Sequence, residues 1–371
     1  MIMGVDGNEA NVEKKVGISE IAFNLILEFY QRKDIDFEIY LKQEPRHDMP
    51  EPREGWSYKV VGPSKFWTQF GLPRALLLAK RKPNVFFSIT HYAPRFCPCP
   101  TVVSIMDLAF IFYPETFKKR DLYQLKSWTQ YSVKKASKVI GISQSTKDDI
   151  IKQYGLSSKK VEVVYPGIKE PNKDNKENSM KELEKKYDIH GRYILFVGTL
   201  QPRKNIIKLI KAFKIVSAKF GDLGLVIIGK KGWMYKDILE APKKEEIESK
   251  VKFLDFVEDA DLPSFYKNAE CFVLPSLYEG FGLPVLEAMQ YGCPVLTSNV
   301  SSLPEAGGDA ALYFDPYDEK DIAGKIEEVL SDNQLREKMK SKGFEQIKKF
   351  SWEKAAREVL SVLEETAKEK A

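Results

Sequence analysis

The 371-residue sequence is poor in the residues that build metal centres and disulfide frameworks, with four cysteines and three histidines. So few thiols cannot staple a chain of this length, and Cys97 and Cys99 sit in CPCP, a spacing that fits no common zinc pattern. All four are expected to be reduced, with Cys271 and Cys293 as small core fillers beside apolar neighbours. There is no run of about 18 apolar residues. The nearest stretches, ALLLA at 75–79 and VFFSI at 85–89, are core-sized, so no membrane-spanning helix is expected. The opening MIMGVDGNEANVEKK lacks both a basic lead into an apolar run and a small-residue cleavage site, which is not the pattern of a secretory leader. The expected location is the cytoplasm, free or peripheral at the inner face of the membrane. No repeat of 20–50 residues is visible, which excludes a solenoid.

What is present suits a folded, soluble protein. The hydrophobic share is 43% and the charged share 30%, with 22 Gly and 20 Pro spread along the chain. The length predicts two domains. The net charge of +5 is uneven: residues 1–170 carry 26 Lys and Arg against 19 Asp and Glu, leaving the remainder slightly negative. Such a surface suits a phosphate-bearing or membrane-surface acceptor, the plainer alternative being a mixed solvated surface. No nucleic-acid partner is expected, and the oligomeric state is not encoded legibly.

Short β-branched or aromatic runs alternate with helical-period segments: IMGVD at 2–6, FEIYL at 37–41, YKVV at 58–61, VFFSI, TVVSI at 101–105 and KVIGIS at 138–143. That rhythm predicts an α/β fold of parallel sheets covered by helices. The polar KEPNKDNKENSM after VEVVYPGI reads as a linker, which sets the first domain at 1–170. The rhythm restarts with YILFVG at 193–198, LVIIG at 225–229, VKFL at 251–254, CFVLP at 271–275 and PVLTS at 294–298, giving a second domain over 171–350. Ser351 is placed to cap a final helix.

The strongest chemical signal is LPSLYEGFGLPVLEAMQYGCPVLTSN at 274–299. A strand ends in a turn, and Gly280, Phe281, Gly282 and Leu283 lead into a helix that Pro284 opens at its first position. Backbone N–H groups and the positive end of the helix dipole there form a phosphate site. Glu287 faces the same opening, where its carboxylate accepts from ribose hydroxyls, and Glu279 is expected at the other end of the diphosphate, near the hydroxyls of a transferred sugar. A second element, Gly198-Thr-Leu-Gln-Pro-Arg203-Lys204-Asn, lies between a strand and a helix. Departure of a nucleoside diphosphate builds negative charge on its outer phosphate, and fixed cations are the direct way to stabilise it.

The two glutamates, separated by seven residues in Glu279-Gly-Phe-Gly-Leu-Pro-Val-Leu-Glu287, resemble the hallmark of glycosyltransferase family 4. The resemblance extends over nearly the whole chain, including VDGNEANVEKKVGISEIAFNL at 5–25, VGTLQPRKNI at 197–206, FVEDADLPSFYKNAE at 256–270, SSLPEAGGDAALYFDP at 301–316 and FSWEKAA at 350–356. It implies the GT-B fold, two Rossmann-like domains whose parallel sheets face a central cleft, with the C-terminal helix at 351–371 returning to the acceptor-binding N-terminal domain. It also implies retaining transfer of a hexose from a nucleotide-sugar donor to a glycan or lipid-linked acceptor, with no cofactor and no divalent metal. The resemblance of GTLQPRKN to mannosyltransferases makes GDP-mannose the first expectation for the donor and a UDP-hexose the second. Lys204 matches the family's diphosphate-contacting lysine. Where many relatives carry Arg directly after the glycine this chain has Thr199, so Arg203 is the candidate second cation. Gly17 matches the loop that approaches the phosphates. Relatives often have His-Asp after the strand that here reads TVVSI; this chain has Met106-Asp107, so only Asp107 remains a candidate there, against a turn-capping role. His91, at a strand end, is a further acceptor-side candidate.

Two D-x-D spacings, Asp34-Asp36 and Asp259-Asp261, raise metal binding as an alternative, but the first starts a strand and Asp261 stands where a helix cap is wanted. Paired glutamates also occur in glycoside hydrolases, a reading at odds with a lysine and a helix N-terminus that suit an anionic leaving group. A GT-B isomerase or phosphorylase and a non-catalytic nucleotide-sugar-binding protein stay open, to be distinguished by acceptor-independent product and by turnover. Residues 118–138 combine seven Lys and Arg with Tyr123, Trp128 and Tyr131 at helical spacing, which suits contact with anionic lipid or a solvated face.

Overall fold

The computed structural model describes residues 1–169, 180–255, 257, 258 and 260–369, so most of the expected linker lies outside the described residues. These fall into two compact units: Met1–Gly167 with Phe350–Ala371, and Ile168–Lys349.

The first unit is a seven-stranded sheet of β1 Ile2–Asp6, β2 Asp36–Leu41, β3 Trp56–Val60, β4 Val85–Ser88, β5 Thr101–Ile105, β6 Lys138–Gly141 and β7 Val161–Val163. The order is β3-β2-β1-β4-β5-β6-β7 and the pairings are parallel, with Met3 opposite Phe37 on one side and Val85 on the other. Strands buried on both faces read as continuous apolar runs, and every residue of β4 and β5 is buried. The helix Ile18–Gln31 places Ile21, Leu25, Ile26 and Phe29 on one face, and the Phe29 ring stacks on Phe37 at 5.6 Å. The last helix, Trp352–Lys368, packs on Ile18–Gln31 and on β4, β5 and β6. It buries Ala355, Ala356, Val359, Leu360 and Leu363, and Ser351 caps it as expected, its hydroxyl accepting from Lys354 N–H at 3.2 Å.

The second unit has six parallel strands, β8 Arg192–Val197, β9 Leu223–Ile228, β10 Val251–Leu254, β11 Cys271–Leu274, β12 Val295–Ser298 and β13 Ala311–Phe314, ordered β10-β9-β8-β11-β12-β13. The expected strands are found. The edge strand β13 was not anticipated, because ALYF is short and buries only its two end residues fully. In each sheet the strand order reverses once, between β1 and β4 and between β8 and β11. At such a switch point the connections leave in opposite directions and open a crevice at the strands' carboxyl ends.

Candidate functional site

In the second unit, Gly198 follows β8 and the Glu279 turn follows β11, so the two chemical elements flank the switch point. Gly198 N–H donates to Ile228 O at 2.9 Å, which carries the β8–β9 pairing past both strands. The ends then approach so closely that a Cβ on Gly229 would stand 1.9 Å from the Gly198 carbonyl oxygen. No side chain fits there, and Gly229 is a requirement of the site that the sequence reading passed over. Pro202–Lys204 form a 3-10 turn before the helix Ile206–Lys219.

That turn delivers two cations to one carboxylate. Lys204 Nζ lies 2.5 Å from Glu279 Oε1, and Arg203 Nη1 lies 3.1 Å from Oε2. Ser276 donates its hydroxyl to Oε1 at 2.6 Å. The loops are also tied through backbone: Leu277 N–H donates to Arg203 O at 2.9 Å, and Arg203 donates to Tyr278 O. Glu279 is fixed at its own backbone, its N–H donating to Ser301 Oγ at 3.0 Å and its carbonyl accepting from Ser302 Oγ at 2.9 Å. Glu279 is 8% exposed, and the side chains of Lys204 and Arg203 are 11% and 13% exposed. Burial alone would raise the Glu279 carboxyl. The charges of Lys204 and Arg203, with the hydrogen bonds from Lys204 and Ser276, outweigh it and hold the group at about 2. Glu279 is thus ionised across the physiological range.

The sequence reading placed Glu279 near the transferred sugar and the cations at the outer phosphate; the structure adds that Glu279 pairs directly with both cations. The physical reason is that two buried cations without a counter-charge are costly, and Glu279 supplies it at hydrogen-bonding distance. Ser276, Ser301 and Ser302 complete the cluster. Only Ser276, three residues before Glu279, had a local signal.

Gly280 and Phe281 carry the chain from Glu279 to Gly282, whose φ of 104° is left-handed and whose Cβ, if present, would meet Leu303 at 2.8 Å. The helix runs Leu283–Gln290 and starts at Leu283, one residue before the expected Pro284. Glu287 lies on it, half-buried, and its Oε2 accepts from the hydroxyl of the fully buried Tyr266 at 2.9 Å. Burial and the Glu287 charge push the Tyr266 phenol far up, so it stays a donor. Tyr266 also stacks on Tyr291 at 6.0 Å. Sequence reasoning missed it, since Tyr266 is 21 residues away.

In the first unit Gly17, His91 and Asp107 lie after β1, β4 and β5, three adjacent strands around the other switch point. Gly17 is exposed, with φ of 57°, at the entry of the helix Ile18–Gln31. The Asp107 carboxylate accepts from Ala109 N–H at 2.9 Å, two residues on, at the first residue of the helical turn Ala109–Phe112. His91 is buried edge-on to Phe110, and its Nδ1 has no hydrogen-bond partner among the described residues. Burial lowers its pKa, against the pull of Asp107, so the ring is neutral. Asp6, at the end of β1, is a carboxyl the sequence reading did not single out: burial lifts it to about 6, against hydrogen bonds from Asn8.

Among the described residues, no group of three or more His, Cys, Asp or Glu is arranged to hold a metal ion. Of the D-x-D residues, Asp34 pairs with Arg32, while Asp261, at the cap position, instead accepts from Lys186 at 2.7 Å and Tyr187 at 2.6 Å. Asp259 lies outside the described residues. No described helix is long and apolar enough to cross a membrane.

Comparison with known proteins agrees with this architecture. The family model described as Glycosyltransferase Family 4 matches residues 17–170, and that described as Glycosyl transferases group 1 matches 175–346. O-antigen chain mannosyltransferase B of Escherichia coli is 30% identical over 352 residues, which are 94% of this chain and 85% of that protein. The Serotype-specific mannosyltransferase WbdA of Escherichia coli is 29% identical over 265 residues, 70% of this chain but only 32% of that larger protein. Among solved structures, Anabaena Alr3699/HepE in complex with UDP and glucose shares the fold, with a TM-score of 0.72 over 98% of this chain and 99% of that one, at 18% identity.

Proposed function

The chain belongs to glycosyltransferase family 4 and has the GT-B fold, and from that premise we propose that it moves mannose from GDP-mannose to a glycan or lipid-linked glycan acceptor with retention of configuration. The observation that carries the reading is the Lys204–Arg203–Glu279 cluster at the switch point beside the Gly280–Leu283 turn. Cleavage of the bond between the anomeric carbon and the diphosphate leaves its electron pair on the phosphate oxygen. Lys204 and Arg203 are the fixed cations that stabilise this charge as it grows. Glu279 keeps them aligned and protonated, and shares them with the diphosphate when the donor is bound. The Gly280–Leu283 turn presents backbone N–H groups to the same anion, with the dipole of the helix Leu283–Gln290 behind them. Glu287, oriented by Tyr266, holds the ribose. Asp107 contacts the reacting sugar or the acceptor, His91 lies on the acceptor side, Gly17 belongs to the loop that approaches the donor phosphates, and the reaction takes place in the cytoplasm without divalent metal.

Mannose is favoured because relatives at about 30% identity, one aligned over most of both chains, are named mannosyltransferases. A UDP-hexose is the second reading of the donor, in line with the UDP and glucose held by the fold neighbour. A thermal-shift panel decides between them: a ligand at about 100 times its Kd adds roughly 2.7 kcal/mol to stability. Stabilisation by GDP and GDP-mannose but not by UDP or UDP-glucose is expected, followed by release of GDP with an acceptor and a product of unchanged anomeric configuration by NMR. Stabilisation by uridine nucleotides alone overturns the mannose assignment. Stabilisation with no donor turnover on any acceptor overturns the transferase reading.

A further inference from the structure

The four thiols divide into two kinds. Cys271 and Cys293 are buried in the second unit, and burial pushes both far above the ordinary thiol range, so they are inert core fillers. Cys97 and Cys99 are partly exposed, and their Sγ atoms lie in contact, 3.4 Å apart. They stand in Cys97-Pro98-Cys99-Pro100, on the loop from β4 to β5. Each proline ring fixes its own φ near about −65°, which leaves the segment few other conformations and keeps the two sulfurs neighbours.

The loop is pinned on both sides of the pair. Before it, Ala93 N–H donates to Ser132 Oγ at 2.9 Å and Arg95 N–H donates to Thr68 O at 2.8 Å. After it, Pro100 O accepts from Phe86 N–H at 2.9 Å. The thiols themselves pack on the buried cluster of Tyr40, Trp67, Leu72, Leu76 and Phe86. Only the short stretch between these anchors has to shift for the sulfurs to close from 3.4 Å to the roughly 2.05 Å of a disulfide bond. A bridge between residues two apart closes a small, strained ring, and strained disulfides are the readily reduced ones.

We propose that Cys97 and Cys99 form a redox modification site, a reversible dithiol–disulfide pair whose oxidant is a low-molecular-weight disulfide such as oxidised glutathione. The thiolate of one cysteine attacks a sulfur of the oxidant, forming a mixed disulfide and expelling one glutathione thiolate. The thiolate of the other cysteine then attacks the protein sulfur of that mixed disulfide, forming the Cys97–Cys99 bond and expelling the second glutathione thiolate. The protons of the two cysteines end on the two departing thiolates, so the chain loses two electrons and two protons and the oxidant gains them. In a reducing compartment such bonds are transient and redox-sensing, which agrees with thiols that are reduced at rest. The modified loop starts three residues before His91 and leads through β5 to Asp107. The proposal does not depend on the donor or on the transferase reading.

The test incubates the full chain in glutathione buffers from fully reduced to mostly oxidised, traps the remaining thiols with N-ethylmaleimide and weighs the protein and its peptides. The wild type is expected to lose two trappable thiols together and to hold a Cys97–Cys99 bond that excess reduced glutathione reopens. Cys97→Ser and Cys99→Ser each lack the resolving thiol. Each should retain roughly ten-fold or more glutathione than the wild type, because a thiol already in contact resolves the mixed disulfide as an intramolecular reaction. Unchanged thermal melting of the two variants keeps misfolding out of the comparison, and the wild type alone supplies a second one: closure should be more favourable in the folded chain than in urea. Equal closure in both would show that the fold does not hold the pair, and overturns the proposal. So do glutathione retained by the wild type as stably as by the variants, thiols at Cys97 and Cys99 that survive the most oxidising buffer, or a bond that links two copies on a non-reducing gel.

Discussion

Replacing Lys204 by alanine should cause two separable losses. Lys204 Nζ is 2.5 Å from a carboxylate oxygen that is itself buried, so solvent screens the pair weakly. Removing one partner of a buried pair costs roughly 3–5 kcal/mol, because the other charge is stranded. Here Glu279 keeps Arg203 at 3.1 Å and Ser276 at 2.6 Å, which places the expected stability loss at or below the lower end, about 3 kcal/mol. Adding Glu279→Gln removes the stranded charge, so the double variant should be more stable than the sum of the two single losses predicts, with a coupling of about 2 kcal/mol. The second loss is in turnover. A preorganised charge partner lost at a developing oxyanion costs roughly 10²–10³ in kcat, about 2.7–4 kcal/mol, with a smaller change in donor KM. Lys204→Arg should recover only part, since a planar fork does not replace a compact point charge. Urea unfolding with matched m-values reads the first loss, and initial rates at saturating acceptor read the second. A strictly additive double variant refutes the coupling. An unchanged kcat with chemistry rate-limiting removes Lys204 from the reaction and leaves Arg203 as the cation to test.

The depressed Glu279 carboxyl predicts a pH dependence: its shift from the ordinary 4.5 to about 2 contributes ~3 kcal/mol of stability above pH 4.5, lost as pH falls toward 2. The stability gap between wild type and Glu279→Gln should therefore narrow by ~2 kcal/mol between pH 7 and pH 3 in urea titrations, and a gap independent of pH would contradict the assigned pairing. Glu287→Gln should raise donor KM about ten-fold with little change in kcat, because a ribose contact is equal in ground and transition states, and Tyr266→Phe should do the same more weakly. A donor KM unchanged in both variants would move Glu287 off the ribose. Transfer should persist in EDTA, with Lys204, Arg203 and backbone N–H groups meeting the diphosphate charge; activity abolished by chelation and restored by Mn²⁺ would show that they do not suffice.

Local chemistry was legible along the chain wherever one segment decides its own structure. The buried strands announced themselves as apolar runs, and Ser351 as a cap, because each depends on neighbours within a few residues. The Gly280–Leu283 turn was readable for the same reason: a strand, two glycines and a proline stand in ten residues. Asp107 shows the limit of such reading. Its position after β5 allows a contact with substrate or a local turn bond, and its carboxylate holds Ala109 N–H, a choice that its neighbours in sequence do not dictate.

What the sequence hid are relations between loops that the sheet order brings together. Lys204 and Glu279 are 75 residues apart, and nothing in either segment states that β8 and β11 are neighbours while β9 and β10 lie on the other side. Once that order is known the cluster follows. The turn after β8 and the turn after β11 leave the same sheet edge at its switch point, and two cations crowded there need an acid within reach. Glu279 is the carboxylate the β11 turn supplies, with Ser276 and Ser302 fixing both of its ends. Glu279, read from its motif as a sugar contact, is also the electrostatic partner of both cations, so its removal should disturb the cations as well as any sugar contact. Glu279→Gln should then change donor KM and kcat together for every hexose donor tested, whereas a residue that only reads sugar hydroxyls would alter the ratio of kcat/KM between donors. A variant with altered donor preference but normal kcat on its best donor would show that the anchor role is secondary.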